Sequence, residues 1–201
     1  MEQIALPLKA GTGPSRIVLG QGNAHVAEAL VAPESWPFRT AVLTGPPRSG
    51  KSLFARWFAE SGAGESLDDA QDLPEDELFH SWNRAQEHGT ALLIVGGEPP
   101  WDIALPDLKS RLGGSLQLDI GAPDDEMAHE LLLSLAEERG LPLRQDAADY
   151  LVPRATRSHA ELEKLVETID RLSLERKAPP NLSIWRAALE AVHGPEEPRL
   201  L

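Results

Sequence analysis

The sequence has 201 residues, 41% of them hydrophobic, enough for one domain of ordinary size or a core domain with a small lid. Its net charge of −13, with eight acids and no Lys or Arg between Glu60 and His80, argues against a protein that grips a duplex through clustered phosphate contacts. The absence of cysteine excludes disulfides and thiol chemistry and suits a reducing cytoplasm, and no segment approaches the length of a membrane span.

The chain opens with Gln3-Ile4-Ala5-Leu6-Pro7-Leu8, mostly apolar and interrupted by proline. Pro7 removes a backbone donor and pushes Leu6 away from the α region, so the stretch reads as an extended strip. The residues alone allow an edge strand, a disordered start or a bait for a partner. Arg16–Gly20 leads into a helix from Asn23, the expected N-cap, with Val26, Ala29 and Leu30 on one face, and Pro33 and Pro37 break it. Thr40–Thr44 reads as a short buried strand, followed by a glycine-rich turn and a helix over Ser52–Ala59. A weak strand over Gly64–Leu67 and a helix over Pro74–Gln86 come next. Ala91–Val95 is the clearest strand, stopped by Gly96-Gly97 and Pro99-Pro100. A helix over Pro106–Leu112 and a strand over Leu116–Ile120 complete this half.

Beyond Gly121-Ala122-Pro123 the patterns are helical only. Pro123 is expected in a first helical turn, with Asp124, Asp125 and Glu126 where the helix dipole favours anions. That helix runs through Leu131, Leu132 and Leu135 to Gly140. A second covers Asp146–Arg154, and a third carries a stripe at Leu162, Leu165, Val166, Ile169 and Leu172. Ser183 is the expected cap of the last, which ends at Val192. The plan is an α/β core with a mainly parallel sheet, then a small all-α lid.

Gly45-Pro46-Pro47-Arg48-Ser49-Gly50-Lys51-Ser52 fits the phosphate-loop pattern G-x-x-x-x-G-K-[ST] between a strand and a helix. The glycines let the backbone curl so that successive N–H groups face phosphate oxygens. Lys51 supplies charge to the β- and γ-phosphates, and the Ser52 hydroxyl can ligate Mg²⁺. The expected ligand is ADP or ATP with Mg²⁺. An acid on a neighbouring strand must complete such a site, and Leu67-Asp68-Asp69-Ala70-Gln71 offers Asp68 for the metal and Asp69 beside the attacking water. A surface acidic turn is the alternative for these two. The six histidines lack close metal-ligand spacing.

Several segments, taken in order, resemble one family: the replication initiator DnaA and its shorter relative Hda, both AAA+ proteins. Ile17–Leu30 resembles the linker into their nucleotide site, GPPRSGKS and LDDAQ resemble their Walker A and Walker B, and Asp76–Ala85 is similar to the helix that follows. Residues 92–112 resemble the sensor-1 strand, its Pro-Pro turn and the arginine-bearing segment, and residues 122–192 look like the lid. The resemblance implies a clamp-binding peptide and linker over 1–14, an AAA+ core over 15–121, a lid over 122–193 and a flexible tail over 194–201. It likens the opening to the Hda motif that docks on the DNA polymerase sliding clamp, with Gln3 hydrogen-bonding at the groove, Ile4, Leu6 and Leu8 in apolar pockets, and Pro7 setting the extended shape.

By the same resemblance Arg111 matches the arginine finger, which enters a neighbouring subunit's site and stabilises charge on the transferred phosphoryl group. The implied partners are the sliding clamp and DnaA, with no membrane and no sequence-specific DNA contact, because the sequence does not continue into the initiator's helix-turn-helix domain. Nucleotide-dependent self-association is allowed. The pattern is also broken in places. Only sixteen residues separate Lys51 from Asp68, which predicts a reduced sheet of about four strands. Gly97 stands near the polar sensor-1 position, and Ala160 stands where the sensor-2 arginine belongs, with Arg157 one turn earlier. Poor hydrolysis by this chain alone is therefore expected. The resemblance implies a regulator that promotes hydrolysis of DnaA-bound ATP. A self-sufficient P-loop ATPase or kinase, or a helper that recruits DnaA, are the alternatives.

Overall fold

The computed structural model describes residues 6–7, 16–98 and 101–194. The chain divides into two compact units, 1–121 and 122–201.

The first unit is built on a four-stranded parallel sheet, comprising β3 (Thr40–Thr44), β4 (Glu65–Leu67), β5 (Leu92–Val95) and β6 (Leu116–Asp119), in the order β4-β5-β3-β6. The two central strands are buried on both faces, which accounts for their unbroken apolar runs. Alternate residues of β3 and β5 go to opposite sides. Ala41, Leu43, Leu93 and Val95 pack with Val26 and Leu30 of α1 (Ala24–Leu30) and Phe54 and Phe58 of α2 (Lys51–Glu60). Val42, Leu92 and Ile94 pack with Leu78 and Trp82 of α3 (Glu75–His88) and Leu108 and Leu112 of α4 (Pro106–Gly114). The sheet thus has the four strands that the short Lys51–Asp68 spacing predicts. A separate two-residue antiparallel ladder pairs β1 (Leu6–Pro7) with β2 (Arg16–Ile17).

The second unit is all helical: α5 (Asp125–Glu138), α6 (Gln145–Leu151), α7 (His159–Arg176) and α8 (Leu182–His193). Leu132, Leu151, Leu162, Leu165, Val166, Ile169 and Ile184 form its core. Among the described residues no helix is long and apolar enough to cross a membrane.

Three caps differ from expectation. Asn23 does precede α1, but its side chain serves the loop before it: Oδ1 accepts from the Gly20 N–H and Nδ2 donates to the Val18 carbonyl, both at 2.9 Å, in full burial. Pro123 lies outside α5, because Asp124 is the cap and accepts from the Met127 N–H at 2.9 Å. Asn181, not Ser183, caps α8, accepting from Ser183 and Ile184. The helix expected over Asp146–Arg154 is α6 followed by a 3-10 turn over Val152–Arg154, where Pro153 cannot continue an α-helical ladder.

Candidate functional site

The phosphate-loop residues Gly45–Ser52 connect the C-terminal end of β3 to α2. Gly45 has φ +151°, and a Cβ there would sit 3.1 Å from both the Cβ and the carbonyl oxygen of Ile120, so the loop's first turn needs glycine. Arg48 (φ +64°) and Gly50 (φ +89°) are left-handed, which curls the backbone into a concave turn at the helix N-terminus. Two polar groups of the loop suit an anion. Ser49 is buried and its Oγ has no hydrogen-bond partner among the described residues. Lys51 Nζ donates to the loop's own carbonyls, Gly45 O at 2.7 Å and Pro46 O at 2.9 Å. Burial pushes the Lys51 ammonium below its ordinary range, against the opposing fields of Asp68, Asp69 and Glu98. A half-buried cation held in a left-handed, curled loop at a helix N-terminus fits a polyphosphate.

Asp68 and Asp69 follow β4 directly, and both are exposed. The Asp69 N–H donates to Asp68 Oδ1 at 3.0 Å, and Asp69 is itself left-handed at φ +49°. Among the described residues no group of three or more His, Asp or Glu forms a metal cage. Mg²⁺ in phosphate sites takes one or two protein oxygens and completes its octahedron with phosphate and water, a demand that the Ser52 hydroxyl and the Asp68 carboxylate fit.

The resemblance did not single out Glu98 or Trp101. Glu98 acts on Lys51 electrostatically. Trp101 packs so tightly on Gly96 that a Cβ there would meet its ring at 2.9 Å. Gly97 lies against the side chain of Gln71. In the lid, Arg157 is paired with Asp125 at 2.8 Å.

Arg111 lies in the last turn of α4, just before β6, and therefore at the N-terminal edge of the parallel sheet, whereas the phosphate loop leaves the C-terminal edge. Strands of four or five residues separate the two by roughly 13–17 Å. The guanidinium is not extended: it is half-buried over the rings of Phe79 and Trp82 and donates through Nη1 to Asn83 Oδ1. Nothing in the spacing of Arg111 signals this slot, because its walls come from a helix about thirty residues earlier. Of the opening peptide, Gln3, Ile4 and Leu8 lie outside the described residues, and Leu6 and Pro7 form β1.

A family model for the Hda lid domain matches residues 125–179. The chromosomal replication initiator protein DnaA of Thermus thermophilus is 34% identical over 91 residues, 44% of this chain and 21% of that protein. The chain thus spans about a fifth of the length of the first curated relatives that it matches. An uncharacterized protein of Haemophilus influenzae is 28% identical over 176 residues, 82% of this chain and 74% of the other. Domain III of Thermotoga maritima DnaA superposes with a TM-score of 0.71 at 14% identity, covering 89% of this chain and 95% of that one. Aquifex aeolicus DnaA bound to AMPPCP gives 0.60 at 19%, covering 80% and 66%. Sheet and lid share the fold of these DnaA structures, and in sequence the chain is similar to the Hda lid domain and to the DnaA initiator.

Proposed function

We propose that this chain is a nucleotide-binding cytoplasmic regulator that promotes hydrolysis of ATP held by a DnaA initiator and so restrains replication initiation. The observation that carries the reading is the placement of Arg111. It stands at the sheet edge opposite its own phosphate loop, so within its core it cannot serve its own nucleotide, and a neighbour's site is the one it can complete. The lid match and the similarity to DnaA support DnaA as that neighbour.

The chain's own nucleotide is a structural and switching ligand in this reading. The N–H groups of residues 48–52 and the Lys51 ammonium would hold its phosphates, and Ser52 and Asp68 would hold Mg²⁺. When bound, the phosphates would give the half-buried Lys51 ammonium an anionic partner, and Mg²⁺ would neutralise their remaining charge. With Gly97 and Ala160 at the sensor positions, turnover by this chain alone is weak. Gln3, Ile4, Leu6, Pro7 and Leu8 tether it to the sliding clamp; three aliphatics contribute about 5–8 kcal/mol gross before ordering costs, enough for a micromolar-scale contact. To act, Arg111 leaves its aromatic slot, giving up about 1 kcal/mol per ring, and gains charge-assisted bonds to phosphate oxygens.

The test is ATP hydrolysis by DnaA in the presence of clamp, DNA and this chain. Arg111→Ala and Gln3→Ala should each reduce stimulation, and the assignment fails if neither does. Turnover by the purified chain well above background would favour a self-sufficient ATPase or kinase. A drop in initiation frequency on its removal would favour a recruiting helper.

A further inference from the structure

We propose that Gln71 reads the terminal phosphate of the bound nucleotide, its carboxamide standing over Gly97, just beyond strand β5, where the backbone offers no side chain of its own. The inference rests on the nucleotide site described above and assigns it a specificity group. A Cβ built on Gly97 would lie 3.7 Å from Gln71 Cγ and Cδ and 3.8 Å from Oε1. Gln71 therefore fills the space into which a side chain at position 97 would project.

The local backbone explains how it gets there. Asp69, at φ +49°, takes a left-handed conformation that is costly for an aspartate and turns the chain back from the edge strand β4. The 3-10 turn Ala70–Asp72 follows, with Ala70 buried beside Ile94 of β5 as its anchor. Gln71 is the next residue. Because β5 stands between β4 and β3, the end of β5 lies between the acids Asp68-Asp69 and the strand that feeds the phosphate loop. The Gly96 N–H donates to the Leu43 carbonyl at 2.9 Å, and a Cβ on Gly96 would lie 3.7 Å from Thr44 Cγ2, so the segment that carries Gly97 abuts the strand end that feeds the loop.

A carboxamide suits this place chemically. Gln71 Nε2 already donates to Asp72 Oδ2 at 3.0 Å, which orients the group and leaves a second N–H and the Oε1 oxygen available. Beside two carboxylates, a neutral donor can approach a phosphate oxygen without becoming locked in an ion pair, as a lysine or arginine would. The ligand preferred is a nucleoside triphosphate over the diphosphate, since only the former carries a phosphate at that depth.

The experiment is calorimetric titration of the full chain with AMPPCP and with ADP, each with Mg²⁺. Gln71→Ala should weaken AMPPCP by about tenfold, the scale of one hydrogen bond to a charged group, and leave ADP within about twofold. Gln71→Glu, of the same size and opposed in charge, should weaken AMPPCP further. Placing asparagine at the vacant strand end in the Gln71→Ala background (Gly97→Asn) should restore the preference. Equal losses for both nucleotides, or none, would overturn the proposal while leaving the phosphate loop intact. Failure of the unmodified chain to bind either nucleotide would instead remove the nucleotide reading itself.

Discussion

The guanidinium carbon of Arg111 stands 4.4 Å from the centre of the Trp82 ring, over its face. Phe79 offers a second ring at 4.5 Å, and Asn83 accepts a hydrogen bond. A proposed finger is thus stored on its own α3 helix, planar group against planar groups. Arg111→Ala should destabilise the chain by about 1–3 kcal/mol, from two partly desolvated cation–π contacts and a hydrogen bond. Arg111→Lys should recover less than half of that, because an ammonium keeps the charge and loses the stacking plane. Urea unfolding at unchanged m-value checks both; equal stability of all three chains would mean that the slot contributes nothing.

The loop leading to α4, the helix that carries Arg111, is tied down by one carboxylate. Glu75, the first residue of α3, accepts from the Ala104 N–H at 2.8 Å and the Leu105 N–H at 2.7 Å, and α4 begins at the next residue, Pro106. Glu75→Ala leaves both donors without this partner and should cost about 2–3 kcal/mol. Glu75→Gln, with a single good acceptor, should cost about half. Amide hydrogen exchange should show faster exchange at Ala104 and Leu105 before any other change. If those amides keep their protection in Glu75→Ala, the carboxylate is not what holds the loop.

How much of this was legible in the sequence depends on the range of the signal. The buried strand Thr40–Thr44, the loop Gly45–Ser52 and the stripe of α7 are written in neighbouring residues, and each stands where its pattern puts it. The shortened sheet was legible too, because chain length bounds how many strands can be made. The caps were less so: Asn23, Asp124 and Asn181 compete with nearby Pro123 and Ser183 for the same role, and only the path of the backbone decides. The slot of Arg111 and the placement of Gln71 over Gly97 were not legible. Both join residues separated by about thirty positions, through a sheet order that no local pattern encodes. Phe38 shows the same limit: its left-handed φ of +52° is held by Gln86 donating to its carbonyl from across the sheet edge.

Lys51 gives the site a proton signature. Burial, the largest influence, lowers its pKa, so the folded state binds that proton less tightly than the unfolded chain does. The penalty is present in full below the folded pKa, where both states are protonated, and is relieved as pH rises towards 10.5. Phosphate oxygens beside Nζ act in the opposite direction and draw the proton back. Nucleotide binding at alkaline pH should therefore be accompanied by proton uptake, visible as binding heats that change between buffers of different ionisation enthalpy. Lys51→Ala should abolish the uptake and weaken binding by roughly 10–100-fold, the scale of charge-assisted bonds. Binding of undiminished strength by Lys51→Ala would place the phosphates elsewhere.

Two glycines of the first unit should respond to alanine with opposite signs. Gly64 immediately precedes β4, where a Cβ would lie 2.3 Å from the Ala91 carbonyl oxygen and 2.8 Å from the Phe58 ring. The Glu65 N–H donates to that same carbonyl at 2.8 Å, so β4 cannot shift away without breaking its first bond to the segment leading into β5. Gly64→Ala should cost at least 2–3 kcal/mol by overpacking and displace Asp68 and Asp69 with the strand they follow. Gly113 sits inside α4 with nothing within 4 Å of its added Cβ, and Gly113→Ala should gain about 0.5–1 kcal/mol of helix propensity. Thermal unfolding of the pair decides the matter. A Gly64→Ala chain as stable as the parent would mean that β4 is free to move, and with it the acids that the nucleotide site depends on.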